Sequence, residues 1–157
     1  MATLKEAATD FLAQKRIAVA GVSRRSGQAA NMVYRTLRDR DYETFAVNPA
    51  TDELEGDTCY PDLKSIPGGV DAVLIATTPS VAESIVRNCA ELGISRVWLH
   101  RSVGEGSVSD EAVEYCQSHG ITVIAGGCPK MFVEGADIVH RCMRLAIGLA
   151  GGLPNEA

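Results

Sequence analysis

Segments of helical periodicity alternate with short, unbroken apolar runs along most of the chain. Leu4, Ala8, Phe11 and Leu12 recur at helical spacing and predict an opening helix within residues 1–15. Residues 16–21 (RIAVAG) are a short apolar run closed by glycine, the pattern of a strand buried on both faces of a parallel sheet. A helix over 28–40 follows, with Met32, Val33 and Leu37 turned inward. Residues 43–49 (ETFAVNP) make a second strand, stopped by Pro49. Residues 50–69 are polar and rich in turn formers, with one short helical turn expected at 62–65. The most apolar stretch, 71–79 (DAVLIATTP), makes a third strand. Ser80 with Glu83 matches a capping box opening a helix that carries Val81, Ile85, Cys89 and Leu92 and ends at Gly93. A fourth strand spans 95–100 (SRVWLH), and Ser109 caps a helix with Ala112, Val113 and Cys116 that ends at Gly120. A fifth strand spans 121–126 (ITVIAG). A last helix over 137–150 presents Ile138, Cys142, Leu145 and Leu149, and a short tail covers 151–157.

Strand and helix alternate five times with short connections. That order predicts a doubly wound α/β fold: a mostly parallel, five-stranded sheet with helices on both faces. Ligands of such sheets bind beyond the carboxyl ends of the strands, where the strand order reverses. Five loops then share one rim. They carry Gly21 to Gly27, Asn48 and Pro49, Ala76 to Ser80, His100 with Arg101 and Ser102, and Gly126 to Lys130.

Composition narrows the partners. The 157 residues suit one domain spanning 1–157, 46% are hydrophobic and 22% charged, and the net charge is −5. The surface as a whole therefore does not attract nucleic acid, and an anion site has to be a local basic patch. The amphipathic, charged amino terminus lacks the apolar core of a signal peptide, and no apolar run is long enough to cross a bilayer, so a cytoplasmic location without membrane association is expected. Cys59, Cys89, Cys116, Cys128 and Cys142 are odd in number and show no CxxC spacing, the pattern of small core residues in a reducing compartment. No metal-binding spacing and no G-x-S-x-G elbow occurs, so neither a metal site nor a set of catalytic residues is expected.

The loop after the first strand, GVSRRSG, is the clearest chemical signal. Gly21 permits a sharp exit from the strand. Ser23 and Ser26 offer hydroxyl donors, Arg24 and Arg25 add charge, and the following helix supplies backbone N–H groups and the positive end of its dipole. The fingerprint G-x-G-x-x-G is absent, because only Gly21 and Gly27 are present. The acidic residue that holds an NAD ribose after the second strand is also missing, its place being Val47-Asn48-Pro49, and there is no Walker A motif. His100 follows the fourth strand and faces the rim, His119 precedes the helix-ending Gly120 as a carboxyl-terminal cap, and His140 lies in the last helix. Cys128 sits at a strand end next to Pro129-Lys130. It is either a buried turn residue or a thiol that meets a bound thiol ligand.

The segments AGVSRRSG, VNP, ATTPS, RVWLH and GGCPK, in this order, resemble the CoA-binding domain family: stand-alone, Rossmann-like proteins related to the amino-terminal domain of the succinyl-CoA synthetase α subunit. The resemblance covers about residues 16–145. It implies that coenzyme A or an acyl-CoA is the cofactor. By position, Ser23, Arg24, Arg25 and Ser26 meet the CoA phosphates. Ala76, Thr77 and Thr78, followed by Pro79, lie against the nucleotide and pantetheine, and Asn48 and Pro49 match the family's Asn-Pro. Tyr42 falls roughly where the synthetase has a CoA-contacting lysine. The Asp-Arg-Cys motif of many small members is replaced by Gly126-Gly127-Cys128. The synthetase also needs a phosphohistidine domain, so ligase activity by this chain alone is not expected. The resemblance therefore points to non-catalytic binding of a CoA-type small molecule, with a homo-oligomer or a partner enzyme as further company. An NAD(P)-binding redox enzyme or sensor and a subunit of a two-chain acyl-CoA ligase stand as alternatives.

Overall fold

A computed structural model describes residues 2–101 and 106–133. The sequence-predicted helix at 137–150 and tail at 151–157, with His140 and Cys142, lie outside the described residues, as does Ser102. Four helices run α1 (Leu4–Leu12), α2 (Ala29–Arg38), α3 (Pro79–Glu91) and α4 (Asp110–Ser118). Seven strands run β1 (Arg16–Ala20), β2 (Glu43–Val47), β3 (Glu53–Leu54), β4 (Asp57–Tyr60), β5 (Ala72–Ile75), β6 (Arg96–Leu99) and β7 (Thr122–Ala125). They form one sheet in the order β3-β4-β2-β1-β5-β6-β7. Every pairing is parallel except β3 with β4. The doubly wound α/β class is as expected, and the five-strand count is corrected to seven.

The two additional strands come from the polar connection at 50–69. Leu54 and Cys59 are its inward residues, and strands of two and four residues are too short to show alternation in sequence. Glu55 (φ 54°) and Gly56 (φ 81°) form the tight turn between them, both in the left-handed region that a two-residue hairpin of this twist requires. Residues 62–65 are a turn rather than a helix, closed by Asp62 Oδ1 accepting from Ser65 N and Oγ at 2.8 Å each.

The core has two halves, one on each face of the sheet. Phe11 of α1, Val33, Tyr34 and Leu37 of α2, and Ile17, Leu74 and Trp98 of the sheet pack on one side. Val86 and Cys89 of α3, Cys116 of α4, and Val73, Ile75 and Leu99 pack on the other. Alternation along β1 sends Ile17 and Val19 to the first half and Ala18 and Ala20 to the second. Trp98 is fully buried between Phe11 (5.3 Å between ring centroids, edge-on) and Phe132 (5.6 Å), and its Nε1 donates to Gly126 O at 3.0 Å. Met32 is 37% exposed rather than inward, because Ala30, Val33, Tyr34 and Leu37 define the buried stripe of α2.

Helix ends follow local chemistry. Thr3 and Glu6 form a capping box on α1, and Ser109 accepts from Ala112 N on α4. α3 is capped two residues before the expected Ser80: Thr78 is the N-cap and Pro79 the first helical residue, where a fixed φ and a missing N–H cost nothing. His119 caps α4, its Nδ1 2.9 Å from Tyr115 O. At the amino end of β1, Arg16 is fully engaged. Its guanidinium reaches Glu43 (2.6 Å), Gly69 O (2.9 Å) and Pro67 O (2.5 Å), and its backbone N–H donates to Asp71 (2.9 Å). Among the described residues no helix is long and apolar enough to cross a membrane.

Phe11 is the side chain of α1 on which Trp98 packs. Phe11→Ala should destabilise the protein by about 3–5 kcal/mol, read as a lower urea midpoint with Trp98 fluorescence as the probe.

Candidate functional site

From β1 the chain turns one way to β2 and β4, and from β5 it turns the other way to β6 and β7. The strand order therefore reverses between β1 and β5, and the crevice at their carboxyl ends is the position at which such sheets take ligands. Gly21 leaves β1 there at φ 105°. A Cβ on Gly21 would lie 2.7 Å from the carbonyl carbon of Ala76 and closer still to its oxygen, so the two strand ends touch backbone to backbone. Ala76 N donates to Ala20 O (2.8 Å) and Gly21 N to Val47 O (3.3 Å), which ties the ends of β5, β1 and β2 together.

The loop from Gly21 to Gln28 projects from this junction. Ser23 is half-buried, and its Oγ accepts from Arg25 N (3.2 Å). Arg24, Arg25 and Ser26 are exposed, and neither arginine side chain has a partner among the described residues. Asn48 acts as a strut: its Nδ2 donates to Val22 O (2.9 Å), its N–H to Tyr60 O (2.9 Å), and its Oδ1 accepts from Ala50 N (2.9 Å). Pro49 beside it is exposed. Gln28 is the N-cap of α2 and Thr78 that of α3, and neither makes a side-chain cap bond. Among the described residues the first turns of α2 and α3 thus have no side-chain cap, whereas α1 and α4 are capped by Thr3 and Ser109.

Behind the loop lies a crevice of about 110 Å³ lined by Gly21, Ala30, Ala76, Thr77, His100 and Ser107, with Gln28, Ala29 and Gly106 at its edge. Ser107 fixes one wall, accepting from Thr77 N and donating to Thr77 O, both at 2.8 Å. His100 is 6% exposed, and its Nε2 has no hydrogen-bond partner among the described residues. Burial, with no compensating charge, holds the imidazole below its usual pKa. Thr78 is exposed, and Pro79 is half-buried at the start of α3. Cys128 is buried in the core half that holds Trp98 and serves as the N-cap of a 3-10 turn over Pro129–Met131. Tyr42 precedes β2, at the end of the sheet opposite the rim, where its hydroxyl donates to Leu12 O. It does not share a site with the loop.

On its other side the loop faces the β3–β4 hairpin across a groove of about 300 Å³ between Ser23, Arg24 and Ser26 and residues 53–56. Asn31, Arg35 and Glu55 join loop and hairpin there, and sequence reasoning missed all three. Asn31 is fully buried; its Oδ1 accepts from Ser23 N (3.0 Å), and its Nδ2 donates to Ser23 O (2.7 Å) and Glu55 Oε1 (2.6 Å). Arg35 Nη1 donates to Ser26 O (3.1 Å) and Glu55 Oε1 (2.8 Å). The spacing of Asn31 and Arg35, one helical turn apart, was the available signal. Among the described residues no cluster of three histidine, cysteine or acidic side chains could hold a metal ion.

Two outcomes follow from this geometry. Gly21→Ala should cost about 3 kcal/mol or more, through overlap with Ala76 and an unfavourable φ, seen as a lowered melting temperature. His100 favours the neutral form in the folded state. Its contribution should be complete above its ordinary pKa of 6.5 and decline as the pH falls below it. Urea midpoints at pH 7.5 and 5.5 should therefore differ less for His100→Gln than for the native chain.

Comparison with known proteins gives the family. Residues 15–134 match the CoA binding domain family. The chain is 34% identical over 121 residues to the uncharacterized protein YneT of Bacillus subtilis, covering 74% of this chain and 84% of that one. It is 25% identical over 126 residues to the α subunit of ADP-forming acetate–CoA ligase II of Pyrococcus furiosus, covering 75% of this chain but only 27% of the ligase subunit. The fold superposes on a hypothetical protein from Pyrococcus horikoshii OT3 with a TM-score of 0.73 at 26% identity, over 80% of this chain and 86% of the other. With most of its length matched, from the strand ahead of the loop to the turn after β7, the chain belongs to the CoA binding domain family, whose relatives include subunits of acyl-CoA ligases.

Proposed function

We propose that this protein binds coenzyme A or an acyl-CoA at the β1–β5 switch point and presents it without carrying out a reaction of its own. The observation that carries this reading is the loop: Arg24 and Arg25 stand exposed, without a side-chain partner among the described residues, beside the start of α2, whose N-cap makes no side-chain bond. Coenzyme A carries a diphosphate and a 3′-phosphate, and two guanidinium groups with a helix N-terminus answer that charge. The crevice behind the loop, with His100 Nε2 and Thr77 on its walls, suits the uncharged arm better than a phosphate, because no lysine or arginine among the described residues lines it. Ser23, Ser26, Ala76, Thr78, Pro79, Asn48 and Pro49 complete the surround, Asn48 by holding the loop rather than by charge.

The relationship to a ligase α subunit favours a second reading, in which the chain supplies the CoA site to a separate catalytic chain. Co-purification with a partner that confers acyl-CoA synthesis in a reconstituted assay would support it; a binder active alone in titration but silent in every such mixture would not.

Calorimetric titration tests the first reading. CoA and acetyl-CoA should bind and raise the melting temperature by mass action. Changing Arg24 and Arg25 together to Ala should weaken CoA about 10- to 100-fold, the loss expected for one or two charge-assisted contacts. Binding of NAD in place of CoA would overturn the assignment.

A further inference from the structure

The hairpin turn carries an unexpected residue. Both of its central positions have positive φ, for which Asn-Gly or Gly-Gly is the favoured pair, yet Glu occupies the first at φ 54°. The turn alone gives no reason for a glutamate, and the side chain supplies one. Its carboxylate is 13% exposed and accepts from Asn31 Nδ2 and Arg35 Nη1, the same two groups that grip the phosphate loop at Ser23 and Ser26. The hydrogen bond from Asn31 is the largest of the effects that lower the Glu55 pKa.

The amide of Asn31 has one workable orientation here. Turned over, its NH₂ would face the Ser23 N–H, and its oxygen would face the Ser23 carbonyl and the Glu55 carboxylate. Glu55 thus reinforces the orientation that the Ser23 N–H and C=O select, and anchors the Asn31 amide to the hairpin. The rest of the α2 face repeats the pattern: Tyr34 donates to Asp57 (2.9 Å), and Arg38 donates to Asp57 (2.7 Å) and Glu55 O (2.9 Å). Residues 31, 34, 35 and 38 are neighbours on one helical face, so hairpin, helix and loop move as one piece.

We infer that Asn31, Arg35 and Glu55 are positioning residues for anion capture. The hairpin carboxylate holds two α2 side chains, which set the loop in the shape that receives the ligand's phosphates. The inference rests on the CoA reading of the site, and it reverses a simple electrostatic expectation. A carboxylate beside an anion site should weaken binding by repulsion, so its removal should strengthen binding. As part of a clamp, its removal should weaken binding, because the loop loses its preset shape.

The sign of the effect decides. Glu55→Asn suits the turn, so the melting temperature should stay at or above that of the native chain. Calorimetric titration with CoA should then show about 10-fold weaker binding. Glu55→Gln keeps an acceptor for Asn31 and Arg35 and should stay within about threefold of native affinity. The Ser23 amide should exchange faster with solvent in the Asn variant than in the native chain. Native or tighter CoA binding by Glu55→Asn overturns the inference while leaving the CoA reading intact. An Asn variant too unstable to titrate would assign Glu55 to folding and overturn it equally. Absence of CoA binding by the native chain overturns the CoA reading, and the inference with it.

Discussion

Gly21 meets the Ala76 carbonyl with no room for a single methyl group between them. That approach brings the two strands on either side of the switch point to the same level, and the loop, the crevice and the start of α2 take their places from it. The contact is made by absence: a side chain at 21 would push the loop away from β5 and open the junction that Asn48 and the Ala76 N–H close from either side. Tight packing carries such a displacement onward instead of absorbing it.

Charge is divided along the rim. Arg24 and Arg25 sit outermost, exposed, where they cost little to keep charged and no described side chain pairs with them. The crevice behind them holds neutral groups and an imidazole kept neutral by burial. The two further cations near the loop, Arg35 and Arg38, are already committed to the hairpin through Glu55 and Asp57. A ligand with phosphates at one end and an uncharged arm at the other matches this gradient better than a uniformly charged one.

The parallel strands were legible because burial on both faces leaves an apolar run with nothing to interrupt it, as in β5, where all four residues are buried. The loop after β1 was legible as a distinct feature because glycine, serine and arginine have little reason to cluster after such a strand. The hairpin was not, since Leu54 and Cys59 alone mark its inner face. Missing the hairpin hid the clamp as well. Asn31 and Arg35 look like solvated polar positions of α2 until a second element covers them. Ser80 was misplaced as a cap for a related reason: two residues of offset at a helix start leave no trace in hydrophobic pattern.

The Arg16 latch gives β1 two unlike ends. At the carboxyl end, Arg24 and Arg25 are exposed and pair with no described side chain. At the amino end, one arginine is saturated by Glu43 and the carbonyls of Pro67 and Gly69. The sheet is therefore polar in the sense a chemist gives a bond: one pole receptive, the other quenched. Anyone wishing to immobilise this protein, fuse it to a reporter or graft a second module should build from the quenched pole, where the chain has already spent its charge on itself.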